Sequence, residues 1–102
     1  MAVLKIRESS LSLLVRRKAN EYAIRRVEFL GNATTRHNVL ARRVFLVEGD
    51  IFTRKVLERS IRSLSKLKII KPVQLSDVEV KLDREHKVID FLICVQEKRR
   101  SR

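Results

Sequence analysis

Between Val27 and Asp50 the chain runs through a frame that leaves few folds open. An alternating segment ends in Val27-Glu28-Phe29-Leu30-Gly31-Asn32; a short helical stretch follows, then Val47-Glu48-Gly49-Asp50 and a second helix. Val27 and Phe29 alternate with Glu28 as on a half-buried strand, and Gly31-Asn32 tolerates the positive φ with which a strand can end abruptly. Thr34-Thr35 offers an N-cap hydroxyl, and Val39, Leu40, Val44 and Phe45 recur at helical spacing, which predicts a helix from Arg36 to Leu46. Gly49-Asp50 reads as a turn. Phe52-Thr53 then opens the second helix, with Thr53 as N-cap, Phe52 and Leu57 as a hydrophobic staple, and Leu57, Ile61 and Leu64 as the buried stripe.

Pro72 cannot continue that helix, and beyond it the period returns to two. Val78, Val80 and Leu82 alternate with Asp77, Glu79, Lys81 and Asp83. Asp83-Arg84-Glu85-His86 is a polar turn, after which Ile89, Phe91, Ile93 and Val95 alternate with Asp90, Leu92, Cys94 and Gln96. These two segments form a hairpin. The fold class predicted is α+β with the order β-α-α-β-β: a three-stranded mixed sheet covered on one face by two antiparallel helices. A right-handed crossover places the last strand centrally and leaves the Leu75–Leu82 strand at an edge. The domain is expected over residues 23–98, after a basic extension (1–22) and before a basic tail (99–102).

Charge is the second constraint. The chain of 102 residues carries a formal net charge of +12. Lys and Arg outnumber carboxylates twelve to five between residues 21 and 72, but only seven to six from residue 73 onward. On the second helix Lys55, Arg59, Arg62 and Lys66 follow at spacings of four, three and four, which makes one basic face opposite the apolar stripe. That face is either a solvated surface or a site for acidic partners: anionic headgroups of a membrane surface, acidic polypeptide, or nucleic acid. The frame between the helices is not a helix-turn-helix turn, and the sheet lacks exposed stacking aromatics. Nonspecific phosphate contact is therefore the form nucleic-acid binding would take.

Catalytic chemistry finds no constellation. His37 and His86 do not pair with Cys94 at any nucleophile or metal-ligand spacing. The carboxylates Asp77, Glu79, Asp83, Glu85 and Asp90 alternate outward along the hairpin without the spacing of a calcium loop. No cofactor, metal or small-molecule substrate is expected. One Cys excludes an internal disulfide, and no apolar run approaches the roughly 20 residues that span a bilayer. The apolar stretches Met1–Leu4 and Leu11–Val15, split by Glu8, lack the arrangement of a signal peptide and read as a docked or frayed amphipathic extension.

These residues together resemble the POTRA domain, the polypeptide-transport-associated module of outer-membrane assembly and secretion proteins. Ile24 to Asn32 resembles the first strand with its Gly-Asn ending. Val47 to Thr53 is similar to the linker between the helices, with Gly49, Asp50, Phe52 and Thr53 at its motif positions. Val56 to Leu67 resembles the second helix, and Phe91 to Glu97 the closing strand ending in Val-x-Glu. In place of an aromatic pair after the second helix stands Lys68-Ile69-Ile70-Lys71-Pro72. The resemblance implies a non-catalytic interaction domain of the bacterial cell envelope, periplasmic or associated with the outer membrane, that recruits unfolded or partner polypeptides of the assembly and secretion machinery. Strand addition would occur at Leu75, Ser76, Asp77, Val78, Glu79, Val80 and Lys81, whose unpaired backbone groups pair with little regard to sequence. The alternating charges Asp77, Glu79 and Lys81 serve equally well as devices against edge pairing. The alternative is a small basic nucleic-acid-binding domain.

Overall fold

The computed structural model describes residues 2–5 and 22–98. Among these residues seven elements follow one another: β1 (Ala2–Lys5), β2 (Ala23–Leu30), α1 (His37–Ala41), α2 (Arg54–Ser65), a 3-10 turn (Leu75–Asp77), β3 (Val78–Asp83) and β4 (Val88–Cys94). From residue 23 the order is the predicted β-α-α-β-β, and β2, β3 and β4 form a mixed three-stranded sheet. β4 is central, parallel to β2 and antiparallel to β3.

The period-two pattern places the core. Val78, Val80, Leu82, Ile89, Phe91, Ile93 and Val95 are all buried, and with Ile24 they meet Leu57, Ile61 and Leu64 of α2 and Phe52 of the linker in a single apolar cluster. The Thr53 hydroxyl accepts the Val56 N–H at 3.3 Å, as an N-cap does. On β2 the alternation changes phase: the register with β4 slips between Ile24 and Arg26, so Arg25 is the extra residue of a bulge. Ile24 is buried before it, whereas Val27 and Phe29 are the half-buried residues after it. Arg25 reaches Asp90 on the neighbouring strand with two contacts, at 2.9 and 2.7 Å, and lies 3.7 Å from Asp83. The bond to Asp90 raises its pKa above the ordinary value for arginine.

Three sequence expectations are corrected. The first helix is five residues long, not eleven: a hydrogen-bonded turn closes it at Arg43, whose N–H donates to Leu40 O, and beyond it Val44 and Leu46 turn into the core while Phe45 and Val47 face out. A buried serine holds this segment down. The Ser60 hydroxyl donates to Val56 O at 2.7 Å and accepts the Phe45 N–H at 2.8 Å. Second, α1 is preceded by Arg36 at its N-cap, with no side-chain bond, since the Thr34 and Thr35 hydroxyls are bound elsewhere. Third, Leu75, Ser76 and Asp77 are not strand. The Asp77 carboxylate accepts the Gln74 N–H at 2.9 Å while the Asp77 N–H returns to Gln74 O, and this reciprocal turn starts β3 only at Val78.

Both edges of the sheet carry further chain. The predicted extension contributes β1, which runs antiparallel along the outer side of β3 with Ala2 opposite Leu82 and Lys5 opposite Glu79. The rest of the extension and the tail lie outside the described residues. At the other edge the interhelix linker pairs with the start of β2: Gly49 N–H donates to Ile24 O, Ile24 N–H to Asp50 O, and Phe52 N–H to Tyr22 O. Gly49-Asp50 is thus a turn that also caps a strand.

Candidate functional site

The two faces of the molecule differ in charge. On the open face of the sheet, cations and anions interleave. Arg26 lies 3.9 Å from Glu28, and a hollow of about 100 Å³ is lined by both together with Glu79, Lys81, Asp90 and Leu92. The helix side is basic. Lys55, Arg59, Arg62 and Lys66 are all exposed, and among the described residues none of the four has a carboxylate within ion-pair distance; the one ion pair on α2 joins Arg54 to Glu58. The fold therefore separates a neutral face from a cationic one.

The outer edge of β3 is defined by which backbone groups point outward. Val95 N–H donates to Leu30 O, so the odd-numbered residues of β4 turn toward β2 and the even-numbered toward β3. Asp90 and Leu92 lie opposite Lys81 and Glu79, which fixes those two as bonded inward. Val80 and Leu82 consequently turn their backbone groups to the outer side, where Leu4 and Ala2 lie opposite them. Val78 N–H is already taken by Leu75 O. Of the seven residues expected at this edge, the structure leaves Val80 as the one that offers both N–H and C=O outward, and adds Leu82, which the sequence reading placed at the strand's last position.

The motifs at the far end of the sheet converge although about 63 residues separate them. Gly31 has φ +95°, and a Cβ built there would stand 2.0 Å from Val95 O. Asn32 Nδ2 donates to Thr35 O at 2.9 Å. The Glu97 carboxylate accepts the Thr34 N–H at 3.1 Å, the Thr34 hydroxyl at 2.8 Å and the Thr35 hydroxyl. Beside them, Ile69 O accepts Lys98 N–H and Gln96 O accepts Lys71 N–H, so the segment after α2 zips onto the end of β4. The Gly-Asn and Val-x-Glu motifs are two halves of one lock.

With that geometry in hand the comparison is decisive: the profile of the POTRA family, described as a surface antigen variable number repeat, matches residues 22–98. The chain belongs to the POTRA family. Among curated proteins none matches it. POTRA domains are non-enzymatic interaction modules that bind polypeptide partners in outer-membrane assembly and secretion proteins, and membership associates this chain with the periplasm or the outer membrane. Gly31, Asn32, Gly49, Asp50, Phe52 and Thr53 of this POTRA domain act on the backbone: two positive-φ turns, a strand cap, a core anchor and a helix cap.

The lock has a pH signature. Hydrogen bonds from Thr35 first, then Thr34, hold the Glu97 pKa down at about 2. A carboxylate with a depressed folded-state pKa contributes stability above its unfolded value, and that contribution is lost as pH falls toward the folded one. Stability is therefore expected to decline from about pH 4.5 to about pH 2, and Thr35→Val should move the Glu97 midpoint upward. Side-chain carboxyl shifts followed by NMR across this range check both; a Glu97 midpoint in the ordinary carboxylate range would remove the lock from the account.

Asp83, the two histidines and Cys94 sit elsewhere on the domain. The Asp83 carboxylate accepts the Glu85 and His86 N–H groups, both at 3.1 Å, and lies 2.9 Å from His86 Nδ1. Those bonds to His86, the backbone one first, keep Asp83 below its usual pKa. His37 lies edge-on to Phe29 with ring centroids 5.3 Å apart. Cys94 is half-buried. Among the described residues no group of His, Cys, Asp and Glu is arranged to hold a metal ion, and no helix is long and apolar enough to cross a membrane.

Proposed function

We propose that this domain recruits extended polypeptides of outer-membrane assembly or secretion by adding them as a strand to the outer edge of β3. The observation that carries this reading is the pairing of Ala2–Lys5 with β3: the edge takes an antiparallel strand in a defined register. Its recognition groups are the outward N–H and C=O of Val80 and Leu82. Backbone pairing tolerates many sequences, which suits a module that handles many clients. A client of this edge competes with the chain's own β1, so exchange of one strand for another accompanies binding.

The test leaves the protein unaltered and changes the peptide. An extended peptide from an outer-membrane barrel strand is titrated into the full chain and followed by backbone amide shifts, beside the same peptide N-methylated at alternate residues. The unmodified peptide should shift amides from Val78 to Asp83, and the peptide methylated on its inward-facing amides should bind at least tenfold more weakly. Equal binding of both peptides, or shifts confined to α2, would reject strand addition.

A further inference from the structure

The most unusual surface lies on the other side of the molecule. Phe45 is 44% exposed, and Val47 and Ile51 are more than half exposed. All three lie in the segment that joins the helices, where Arg43, Phe45 and Val47 face outward as Val44 and Leu46 fill the core and Ile51 bridges to Ala23 at the start of β2. Phe45 is not loose: its N–H is pinned to buried Ser60, and the Arg59 guanidinium lies 4.6 Å from its ring centroid. Around these apolar side chains, residues 42–66 carry seven Lys and Arg against three carboxylates, of which Glu58 pairs with Arg54 while Glu48 and Asp50 are exposed on the turn.

From this arrangement we infer that the α2 face is a peripheral docking surface for an anionic lipid bilayer, with Phe45, Val47 and Ile51 entering the headgroup region and Lys55, Arg59, Arg62 and Lys66 meeting lipid phosphates. Charge complementarity selects the partner's sign, and shape selects its kind. A peptide added as a strand needs a sheet edge, and the helical face of α2 offers none. Nucleic acid would use the cations and stack on an aromatic face. Here one face of the single ring is covered by Arg59, and Val47 and Ile51 offer a base no π surface. An interface between water and acyl chains uses all of these groups: the aliphatic and aromatic side chains leave water, and the long cationic ones extend to the phosphates. The open sheet face and the outer side of β3, where β1 pairs, belong to the sheet and not to this helical surface.

The chain has no Trp, so Phe45→Trp places a single tryptophan, excited apart from Tyr22, at the centre of the proposed contact. With vesicles of phosphatidylcholine and phosphatidylglycerol in equal parts the emission should shift to the blue, and with phosphatidylcholine alone it should not. Partition in co-sedimentation should fall about fivefold for each of Lys55→Gln, Arg59→Gln and Arg62→Gln, the effect of one basic residue near an anionic surface. Val47→Ser and Ile51→Ser should weaken it while leaving net charge unchanged. Arg26→Gln and Arg84→Gln remove the same charge from the sheet and hairpin side, and partition should hold. Equal partition onto both vesicle types, equal loss from cations on either side, anionic binding without a blue shift, or tighter binding to an oligonucleotide than to anionic vesicles at matched ionic strength would each overturn the assignment.

Discussion

Gly31→Ala is expected to destabilise the domain by about 3 kcal/mol or more, a large part of what a domain of this size has. Two effects coincide. The backbone at Gly31 has φ +95°, where an L side chain is strained, and the added methyl carbon would stand 2.0 Å from Val95 O. That oxygen has little freedom to withdraw, because the Val95 N–H donates to Leu30 O on one side of the peptide chain and Gln96 O accepts the Lys71 N–H on the next. Gly49→Ala supplies the control. Its φ of +93° is nearly the same, but nothing lies within 4 Å of the added atom, so only the conformational part remains, about 1 kcal/mol. Urea unfolding of the two variants separates the close approach from the backbone angle. Equal losses would mean that the β2–β4 junction relaxes around the methyl and that the lock is looser than its geometry.

The sheet was legible because its burial is one-sided. Val78, Val80 and Leu82 and then Ile89, Phe91 and Ile93 each alternate with polar or less buried residues, and Leu57, Ile61 and Leu64 have only one way to share a helical face. What escaped the pattern has specific physical causes. Ile24-Arg25-Arg26-Val27 has no alternation to read, since the bulge at Arg25 adds a residue and reverses the phase. Val44-Phe45-Leu46-Val47 is apolar throughout, and a run of that kind fits a helix or an extended segment equally. Ser60, which decides between them by accepting the Phe45 N–H, is an unremarkable residue in any sequence pattern. The Gln74–Asp77 turn went unseen because apolar Leu75 stands just before the alternating run, although its odd position is out of phase with Val78, Val80 and Leu82. The place of β3 is a property of topology more than of side chains: the order of elements put it outside β4, but β1 pairs along its outer side so that it is not the free edge expected, and the outward set, Val80 and Leu82, depends on hydrogen-bond parity that no composition records. The basic stripe of α2 was visible in the spacing of its four cations, whereas the exposed Phe45 beside Arg59 required the structure.

Phe91→Ala should be the most damaging truncation in the core, at about 3–5 kcal/mol. Phe91 lies on the central strand, opposite Val80 of β3 and Val27 of β2, so one side chain touches the register of all three core strands. Its ring is fully buried and stands 5.4 Å from that of Phe52, inclined at 39°. Phe52 belongs to the linker, directly before the Thr53 cap of α2, so the pair couples sheet to helix layer. Removing one ring leaves a cavity beside the other and weakens the hydrophobic staple that sets the start of α2. For a domain of this size the melting temperature should fall on the order of 20 °C. Phe91→Leu keeps most of the volume and should lose about half as much or less. Thermal unfolding of both variants decides the matter: an alanine variant within about 1.5 kcal/mol of the original would mean that the core closes over the gap and that the Phe52–Phe91 contact is not its centre. Because Phe91 faces the helices and the β3 edge presents backbone, the folded leucine variant should still take an extended peptide. A domain that lost peptide binding on this substitution while remaining folded would place recognition in the apolar interior and not in the strand's outward N–H and C=O groups.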